Sequence, residues 1–249
     1  MIRMVRIEIA VFNIESALNA AAAGAHRIEL CDNPAEGGTT PSFGTMEAVR
    51  RRLNIDVMVM IRPRGGDFVY TPEEYEAMKS DIMAAKRLGI DGVVLGILDE
   101  EGRIDEARCA ELIMLARPMV VTCHRAFDLT PDPMEALEAC VRAGFDRILT
   151  SGRTPAAEQG TVLLRKLNEA AGERTIILAG VGINAGNVGS IIDETGVREV
   201  HFSARVYRES IARHHNPDVR LTDPLPSDTG LFIADRERIS AVLEVLSGK

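Results

Sequence analysis

Eight short runs rich in β-branched residues recur along the chain, and stretches with helical periodicity separate them. The runs begin near Val5, His26, Val57, Asp91, Met119, Asp146, Thr175 and Arg198. Eight strands alternating with helices in 249 residues is the count of a (β/α)8, or TIM, barrel. A doubly wound open sheet would more often carry a glycine-rich turn after its first strand, whereas here that strand runs into VFNIES. We therefore predict an α/β protein with a single TIM-barrel domain over residues 1–249.

Local signals predict where several elements begin and end. A threonine followed by proline, as at Thr71 and Thr130, predicts a helix start, because threonine caps the first turn and proline fits its first position. Asn184 is expected to cap the helix after the seventh strand. Residues 206–233 lack periodicity and are rich in proline, aspartate and serine, so we predict a long irregular loop there, before the final helix.

Charge and hydropathy argue against two classes of partner. The net charge is −8 and the basic residues are scattered, so we expect no binding to nucleic acid, which requires a basic face. No apolar run reaches the roughly 20 residues that cross a bilayer, so we expect no membrane partner. The amino-terminal segment becomes charged at Glu8, too early for a secretory signal, and the cytoplasm is the predicted location.

The cysteines show no CxxC motif and no spacing typical of a zinc site. They are Cys31, Cys109, Cys123 and Cys140. This pattern predicts free and mostly buried thiols in a reducing compartment.

Alternation along the predicted strands separates side chains that face the surrounding helices from those that face the barrel interior. The pattern sorts strands one, two, three, five and eight, and it leaves strands four and six undecided. The residues predicted to face inward are Glu8, Ala10, Glu29, Cys31, Met58, Met60, Arg62, Thr122, His124, His201 and Ser203.

Buried ionisable groups are unfavourable unless they are paired, so two interpretations of these inward residues remain open. One is an internal ion network, such as Glu29 with Arg62, that only stabilises the fold. The other is a preorganised site in which arginine holds a carboxylate and one imidazole is the acid or base.

The loops after the strands of a TIM barrel gather on one face, which we call the barrel mouth, and here they carry further polar residues. Arg64 and Asp67 follow strand three, and Arg125 and Asp128 follow strand five. Arginines in such loops suit planar carboxylate or phosphate groups. The turns after strands six to eight are expected to bind an anion through backbone N–H groups. The residues of these turns are Ser151, Gly152, Gly180, Gly182 and Ser203.

These residues compose a candidate enzyme site for a small anionic metabolite. In this hypothesis Glu29 or His124 moves a proton, while Arg62 and Arg64 fix a carboxylate or phosphate. The candidate catalytic residues are Glu29, His124, Asp67 and Asp128. The candidate substrate-binding residues are Glu8, Arg62, Arg64, Arg125, Ser151, Gly152, Gly180, Gly182, His201 and Ser203.

Four motifs, ELCDNPAEGGTTPS, IRPRGGDFVYT, HRAFD and RILTSG, resemble those of the CutC family, which is named for copper homeostasis. The likeness runs in order from about Val5 to Ser203 and fades beyond Arg205. It implies a TIM-barrel-like cytosolic protein, often an oligomer, that handles copper or binds Cu(I). The family pattern falls on Glu29, Cys31, Glu36, Gly37, Gly38, Pro41, Ser42, Arg62, Pro63, Arg64, Gly65, Gly66, Asp67, His124, Arg125, Phe127, Asp128, Thr150, Ser151 and Gly152. Cys123 departs from the pattern, because the relatives usually carry phenylalanine there.

A copper role and an enzyme role therefore both remain open. Cu(I) is soft and prefers two or three thiolate or thioether ligands. Cys31 is the thiol predicted to lie at the mouth, with Met58 and Met60 on the neighbouring strand, so Cys31 is the candidate metal ligand. Either inward histidine, or a second subunit, could complete such a site. The carboxylates and arginines suit a small anion better, and a non-catalytic scaffold that oligomerises is the third alternative.

Overall fold

Eight parallel strands close into a barrel in the computed structural model, which describes residues 5–216, 218–219 and 229–248. Each strand pairs with the next along the chain, and the eighth pairs with the first, so the predicted TIM barrel is confirmed. The barrel strands are β1 (Arg6–Val11), β2 (Arg27–Leu30), β3 (Asp56–Met60), β4 (Gly92–Leu95), β5 (Val120–Cys123), β6 (Arg147–Thr150), β7 (Ile176–Gly180) and β8 (Glu199–Phe202).

Helices cover the outside of the barrel, because parallel strands require a crossover connection. Within the described residues the helices are α1 (Ile14–Ala22), α2 (Phe43–Arg50), α3 (Pro72–Arg87), α4 (Glu106–Ala116), α5 (Pro133–Ala143), α6 (Thr161–Ala171), α7 (Val188–Thr195) and α8 (Arg236–Ser247). The first seven connect successive barrel strands. None of the helices in these residues has both the length and the apolar character that a membrane span requires.

The apolar side chains form two separate layers, and strand alternation decides which layer each joins. Outward residues such as Ile7, Ile28 and Val200 pack with the helices in the main hydrophobic core. Cys31 and Met60 belong instead to a small cluster inside the barrel. The predicted alternation is therefore confirmed, and the structure also settles the undecided strands. In β4 Val94 faces inward, and in β6 Arg147 does.

The strand register arranges the inward residues in layers of four, each drawn from alternate strands, as in other TIM barrels. The layer nearest the amino-terminal ends contains Arg27, Gly92, Arg147 and Glu199. The next layers towards the mouth are Glu8, Met58, Thr122 and Leu178, then Glu29, Val94, Leu149 and His201, then Ala10, Met60, His124 and Gly180. Ionisable side chains thus extend from the base of the barrel to its mouth.

The prediction of an irregular loop over residues 206–233 is wrong at both ends. There β9 (Arg205–Glu209) and β10 (Gly230–Ala234) form a two-stranded antiparallel sheet. Asn13 and Asn19 dock this sheet onto α1, because their amide groups donate to backbone carbonyls of β10. The middle of the predicted loop, at residues 217 and 220–228, lies outside the described residues.

Two of the helix-start predictions are also wrong. Thr71 does cap α3, in a capping box with Glu74. Thr130 instead ends a 3-10 turn, and Asp132 caps α5. Asn184 does not begin α7, since that helix starts after Asn187, whose side chain accepts from the Asn184 amide.

Candidate functional site

A buried ion network occupies the base of the barrel. Arg27 donates through Nε to Glu8 and through Nη2 to Glu199 Oε2 at 2.5 Å. Arg147 Nε reaches the same Glu199 oxygen at 2.8 Å. The exposed fraction of each of these four residues is at most 9%. An internal ion network therefore exists, but the expected Glu29–Arg62 pair is wrong, since no such pair forms within the described chain.

Sequence reasoning missed Arg27, Arg147 and Glu199, although the signal for two of them was available. Arg27 lies two residues before Glu29, and Glu199 lies two residues before His201, so the same alternation sends them inward. Arg147 could not be assigned in this way, because the pattern in β6 is apolar on both faces. The predicted site therefore lacked the charged residues at the base of the barrel.

Above this network, His201 lies between two buried glutamates on different strands. Its Nδ1 is 2.8 Å from Glu8 Oε1, and its Nε2 is 3.6 Å from Glu29 Oε2. The Cys31 thiol donates to the same Glu29 oxygen at 3.5 Å. The other oxygen, Glu29 Oε1, is buried and has no hydrogen-bond partner among the described residues. Four of the sequence-predicted site residues are therefore in contact.

The two glutamates differ in pKa because their partners differ. Burial alone would raise the pKa of Glu8, but the Arg27 guanidinium and His201 outweigh it and lower that pKa to about 2. Glu29 has no arginine partner in the described chain, and burial raises its pKa above the ordinary value of 4.5, with Glu8 adding to the rise. Glu8 is thus held as a carboxylate, while Glu29 binds a proton more readily.

The other two members of the cluster also hold their protons more tightly than usual. Burial opposes a charge on His201, yet Glu29 and Glu8 outweigh it and raise its pKa above the ordinary value of 6.5. Burial, together with Glu29, raises the pKa of Cys31 well above its ordinary value, so the group is a thiol rather than a thiolate. Environments that separate the pKa values of neighbouring groups are typical of acid–base sites.

Two donor sets at the mouth could hold a metal ion. Ligand atoms of Glu8, Glu29 and His201 all lie within 4.8 Å of one another. Oxygen and imidazole donors suit a divalent cation better than Cu(I). The softer set is Cys31 with Met60, since a Cβ built on Gly38 would lie 3.2 Å from Cys31 Sγ and 3.6 Å from Met60 Cε. One thiol and one thioether fit Cu(I) at the lower limit of its preferred ligand number.

His124 is buried at the mouth in its neutral form. Burial and the neighbouring Arg62 guanidinium lower the pKa of His124 to about 3. The ring packs against Phe68 with 4.7 Å between centroids, and Nδ1 accepts from the Ala126 amide at 3.2 Å. Because Nδ1 is an acceptor, the proton of the neutral ring lies on Nε2. That Nε2 is buried without a partner in the described chain.

Arg62 and Arg64 brace the loops at the mouth. Arg62 donates to the carbonyls of Glu36, Gly38 and Gly66, and so ties the loop after β2 to the loop after β3. Its Nε is buried and finds no partner among the residues described. Arg64 bonds to Glu74 and Asp67 and to three carbonyls of its own loop. Its donors are therefore engaged with its own loop and with the first turn of α3.

Asp67 and Asp128 likewise have structural partners. Asp67 is exposed, and the Arg64 guanidinium lowers its pKa. Asp128 accepts from Arg125, Thr150 and both the amide and the hydroxyl of Ser151, and so joins the loops after β5 and β6. Neither carboxylate belongs to the Glu8–His201–Glu29 cluster.

Gly152 is required by close packing in the loop after β6. It has φ +71°, and a Cβ there would lie 2.5 Å from the Gly160 carbonyl oxygen. The predicted TSG turn therefore forms a tight contact between two segments of one loop.

A cavity of about 500 Å³ lies beside the ends of β7 and β8, where an anion site was expected. Gly182 and Ser203 line it, together with Arg205 and Arg238. Gly180 belongs instead to the barrel interior, where a Cβ would lie 2.5 Å from Leu149 Cδ1. The cavity combines two arginines with loop backbone, as a site for an anion requires.

The model of the CutC family matches residues 5–206. A copper homeostasis protein cutC homolog from Homo sapiens is 44% identical over 234 residues, which cover 94% of this chain and 86% of the relative. A family protein CutC from Mesorhizobium japonicum is 47% identical over 217 residues, covering 87% of this chain and 84% of the relative.

A solved structure has the same fold. The crystal structure of a CutC protein from Streptococcus agalactiae superimposes with a TM-score of 0.77 at 36% identity. The match covers 80% of this chain and 99% of that protein. Sequence and fold comparisons therefore agree.

Proposed function

The chain belongs to the CutC family of copper homeostasis proteins, and we propose that residues at its barrel mouth remove a proton from, or add one to, a small anionic molecule. One observation carries the proposal: His201 separates two buried glutamates whose pKa values shift in opposite directions. Stabilisation alone would not require a carboxyl oxygen, Glu29 Oε1, that is buried without a partner in the described chain.

Each residue of the cluster has a role in this proposal. Glu29 Oε1 gives or takes the proton, because it is buried without a partner in the described chain and the pKa of Glu29 is raised. Glu8 holds His201 in place from the other side, and Arg27 fixes Glu8. The cavity lined by Arg205 and Arg238 would hold the anionic group of the same molecule.

The proposal is tested by proton exchange into small phosphorylated and carboxylated metabolites in D2O, followed by 1H NMR. The wild-type protein should exchange a carbon-bound proton of at least one compound in the panel. Glu29→Gln should reduce the rate by about 100-fold or more, as loss of a general base does. Glu15→Gln, which changes an exposed glutamate paired with Arg208, is the matched control. Equal exchange by wild type and Glu29→Gln, or no exchange with any compound, would contradict the proposal.

Cu(I) binding at the mouth is the second candidate, favoured by the soft pair Cys31 and Met60 and by the names of the relatives. A bound Cu(I) ion would be held by these two sulfur atoms. The Cys31 proton must leave when a metal binds, and Glu29 Oε2, at 3.5 Å, is placed to accept it. All four cysteines lie within the described residues and are unpaired, which supports a cytoplasmic location.

Competition with a chromogenic Cu(I) chelator tests this second candidate. Cys31→Ser should abolish binding of one Cu(I) per chain, and Met60→Leu should weaken it. Cys140→Ala is the control, because Cys140 is equally buried but lies in the outer layer. Unchanged affinity in Cys31→Ser would exclude a site at the mouth.

A further inference from the structure

Strands β2 and β5 and the segment just after β3 contribute side-chain atoms that are buried in or just above the barrel without a hydrogen-bond partner in the described chain. These atoms are Glu29 Oε1, Arg62 Nε, Thr122 Oγ1 and His124 Nε2. A buried polar atom left unpaired costs about 1–3 kcal/mol, so native proteins keep few of them. Arg27 Nη1, Tyr70 Oη and Thr175 Oγ1 are buried in the same way elsewhere. The atoms of Glu29, Arg62 and His124 lie closest to the mouth, where a molecule that enters could pair with them.

The identity of the atoms shows what this partner must offer. His124 is neutral and its Nδ1 already accepts from Ala126, so its Nε2 is an N–H donor. Arg62 Nε is also an N–H donor. Both side chains contact the Phe68 ring, with 4.7 Å from Arg62 Cζ to the ring centroid and 4.7 Å between the His124 and Phe68 centroids. Two N–H donors on side chains that contact the same ring suit an oxygen that carries negative charge.

The layers of the barrel place a carboxyl group beneath these donors. Glu29 lies in the layer directly below that of His124, on the other side of the barrel. Ala10 pairs with Glu29 in the strand register and ends at its Cβ, while Phe12, just after β1, packs on the cluster that contains Cys31 and Met60. A small molecule bound between His124 and Glu29 would have an oxygen near His124 and a carbon nearer Glu29.

We infer that the substrate is a small carbonyl compound, and that neutral His124 donates its Nε2 hydrogen bond to the carbonyl oxygen with Arg62 Nε as the second donor. This inference rests on the proposed role of Glu29 and adds the substrate class and the group that stabilises charge. His124 is then a catalytic residue that does not itself move a proton.

The chemical step balances without any co-reactant. Glu29 Oε1 takes a proton from the carbon next to the carbonyl, so a C–H bond breaks and an O–H bond forms. The C–H electron pair becomes a C=C bond, and the carbonyl π pair moves to the oxygen. That oxygen becomes an enolate held by the two N–H donors. The proton on Glu29 then exchanges with a deuteron of the D2O solvent, and transfer of this deuteron to the enolate carbon restores the carbonyl compound with C–D in place of C–H.

The test uses the wild-type protein labelled with 15N in histidine and oxalate as a planar, enolate-like probe. The His124 signals should show a neutral ring with its proton on Nε2, and oxalate should shift the Nε2–H resonance. His26 is the internal control, because its Nδ1 also accepts a backbone N–H, from Ile7 at the amino-terminal end of the barrel. Its signals should not respond to oxalate.

Variants then measure the hydrogen bond in solution. His124→Leu should weaken oxalate binding about tenfold or more, the effect of losing a hydrogen bond to a charged group. His124→Gln keeps an N–H donor and should recover part of the affinity, while His26→Leu should bind oxalate as the wild type does. The NMR measurement on the wild type does not depend on whether the leucine variant folds.

Several outcomes would overturn the inference. They are a proton on Nδ1 of His124, a charged His124 ring at neutral pH, no binding of oxalate to the wild type, or an affinity of His124→Leu for oxalate equal to that of the wild type. Exchange that is lost in Glu29→Gln but unchanged in His124→Leu would reject the role of His124 and keep the proposed function. Oxalate binding that depends on His124, with exchange unaffected in Glu29→Gln, would reject the proposed function alone.

Discussion

Glu8 and Glu29 occupy inward positions on neighbouring strands, and both are almost fully buried. Arg27 faces Glu8 directly, whereas the contacts of Glu29 are His201 and the Cys31 thiol. A carboxylate opposite a guanidinium stays ionised, while a buried carboxyl without one favours its neutral form. One arginine therefore decides which of the two glutamates binds a proton more readily.

Glu29→Gln should make the folded protein more stable at pH 8. Burial raises the pKa of Glu29, so the folded state opposes the ionisation that the unfolded chain undergoes freely above pH 4.5. The neutral glutamine avoids this penalty, and the free energy of unfolding should rise by about 1 kcal/mol. Urea unfolding at pH 8 and pH 4 measures it, and the gain should vanish at pH 4. A loss of stability at pH 8 would contradict the raised pKa.

Alternation predicted which single residues face inward, but it could not predict what their side chains contact. Contacts form between Glu8, Glu29 and His201 because their side chains are shorter than arginine and their strands adjoin in the closed barrel. Arg62 is long enough to turn away, and its partners are the carbonyls of Glu36, Gly38 and Gly66, which carry no side-chain signal. Arg64 likewise bonds to three backbone carbonyls, those of Gly65, Asp67 and Val69. Sequence therefore predicts where the backbone of an arginine lies better than what its guanidinium binds.

The turns that end β7 and β8 contain two residues other than glycine with positive φ. Val181 has φ +77° and Ala204 has φ +47°, and the cavity of about 500 Å³ lies beside these turns. A β-branched residue in this region is unusual and costs about 1–3 kcal/mol. The Val181 carbonyl accepts from the Ala157 amide, so the loop after β6 helps to hold this conformation.

Val181→Gly should stabilise the protein, because glycine adopts a positive φ without strain. The relief exceeds the extra entropy that glycine gives the unfolded chain, so the free energy of unfolding should rise by about 1 kcal/mol. Urea unfolding measures the change. Val162→Gly is the matched control, since Val162 lies exposed in α6 and glycine there should destabilise by about 0.4 kcal/mol. Equal losses in both variants would show that Val181 is unstrained.

Elements with strong local signals could be predicted, and those held by distant contacts could not. The eight barrel strands and the capping box at Thr71 follow from patterns within a few residues. The sheet of β9 and β10 joins segments about twenty residues apart, and ring packing of Tyr207 on Phe232 with docking onto α1 holds it. Such contacts leave no periodic mark in a stretch rich in proline.

Across the whole molecule, charged groups form one continuous buried chain from the base of the barrel to its mouth. Arg147, Glu199, Arg27, Glu8, His201 and Glu29 follow one another in that order. Each contact lies between side chains of neighbouring or alternate strands, so closure of the barrel is what completes the chain. The free energy of unfolding should therefore depend on the protonation of this chain.

Stability should be greatest just above pH 4.5 and should fall on both sides. The pKa of Glu8 is about 2 in the folded protein and 4.5 ordinarily, so the unfolded chain binds more protons between these values and acid favours unfolding. Protonation of Glu8 alone should lower the free energy of unfolding by about 3 kcal/mol between pH 5 and pH 2. The raised pKa values of Glu29 and His201 act in the other direction, because each stabilises the folded state at low pH and that contribution is lost as pH rises through the folded pKa. Urea unfolding from pH 3 to pH 9 measures the curve.

Glu8→Gln should lower the free energy of unfolding by about 3–5 kcal/mol at pH 7, because Arg27 is left without this partner. On acidification the variant should lose less stability than the wild type. Glu15→Gln, which breaks an exposed ion pair with Arg208, should follow the wild-type curve closely. If Glu8→Gln and the wild type lost stability equally between pH 5 and pH 2, the low pKa of Glu8 would be wrong.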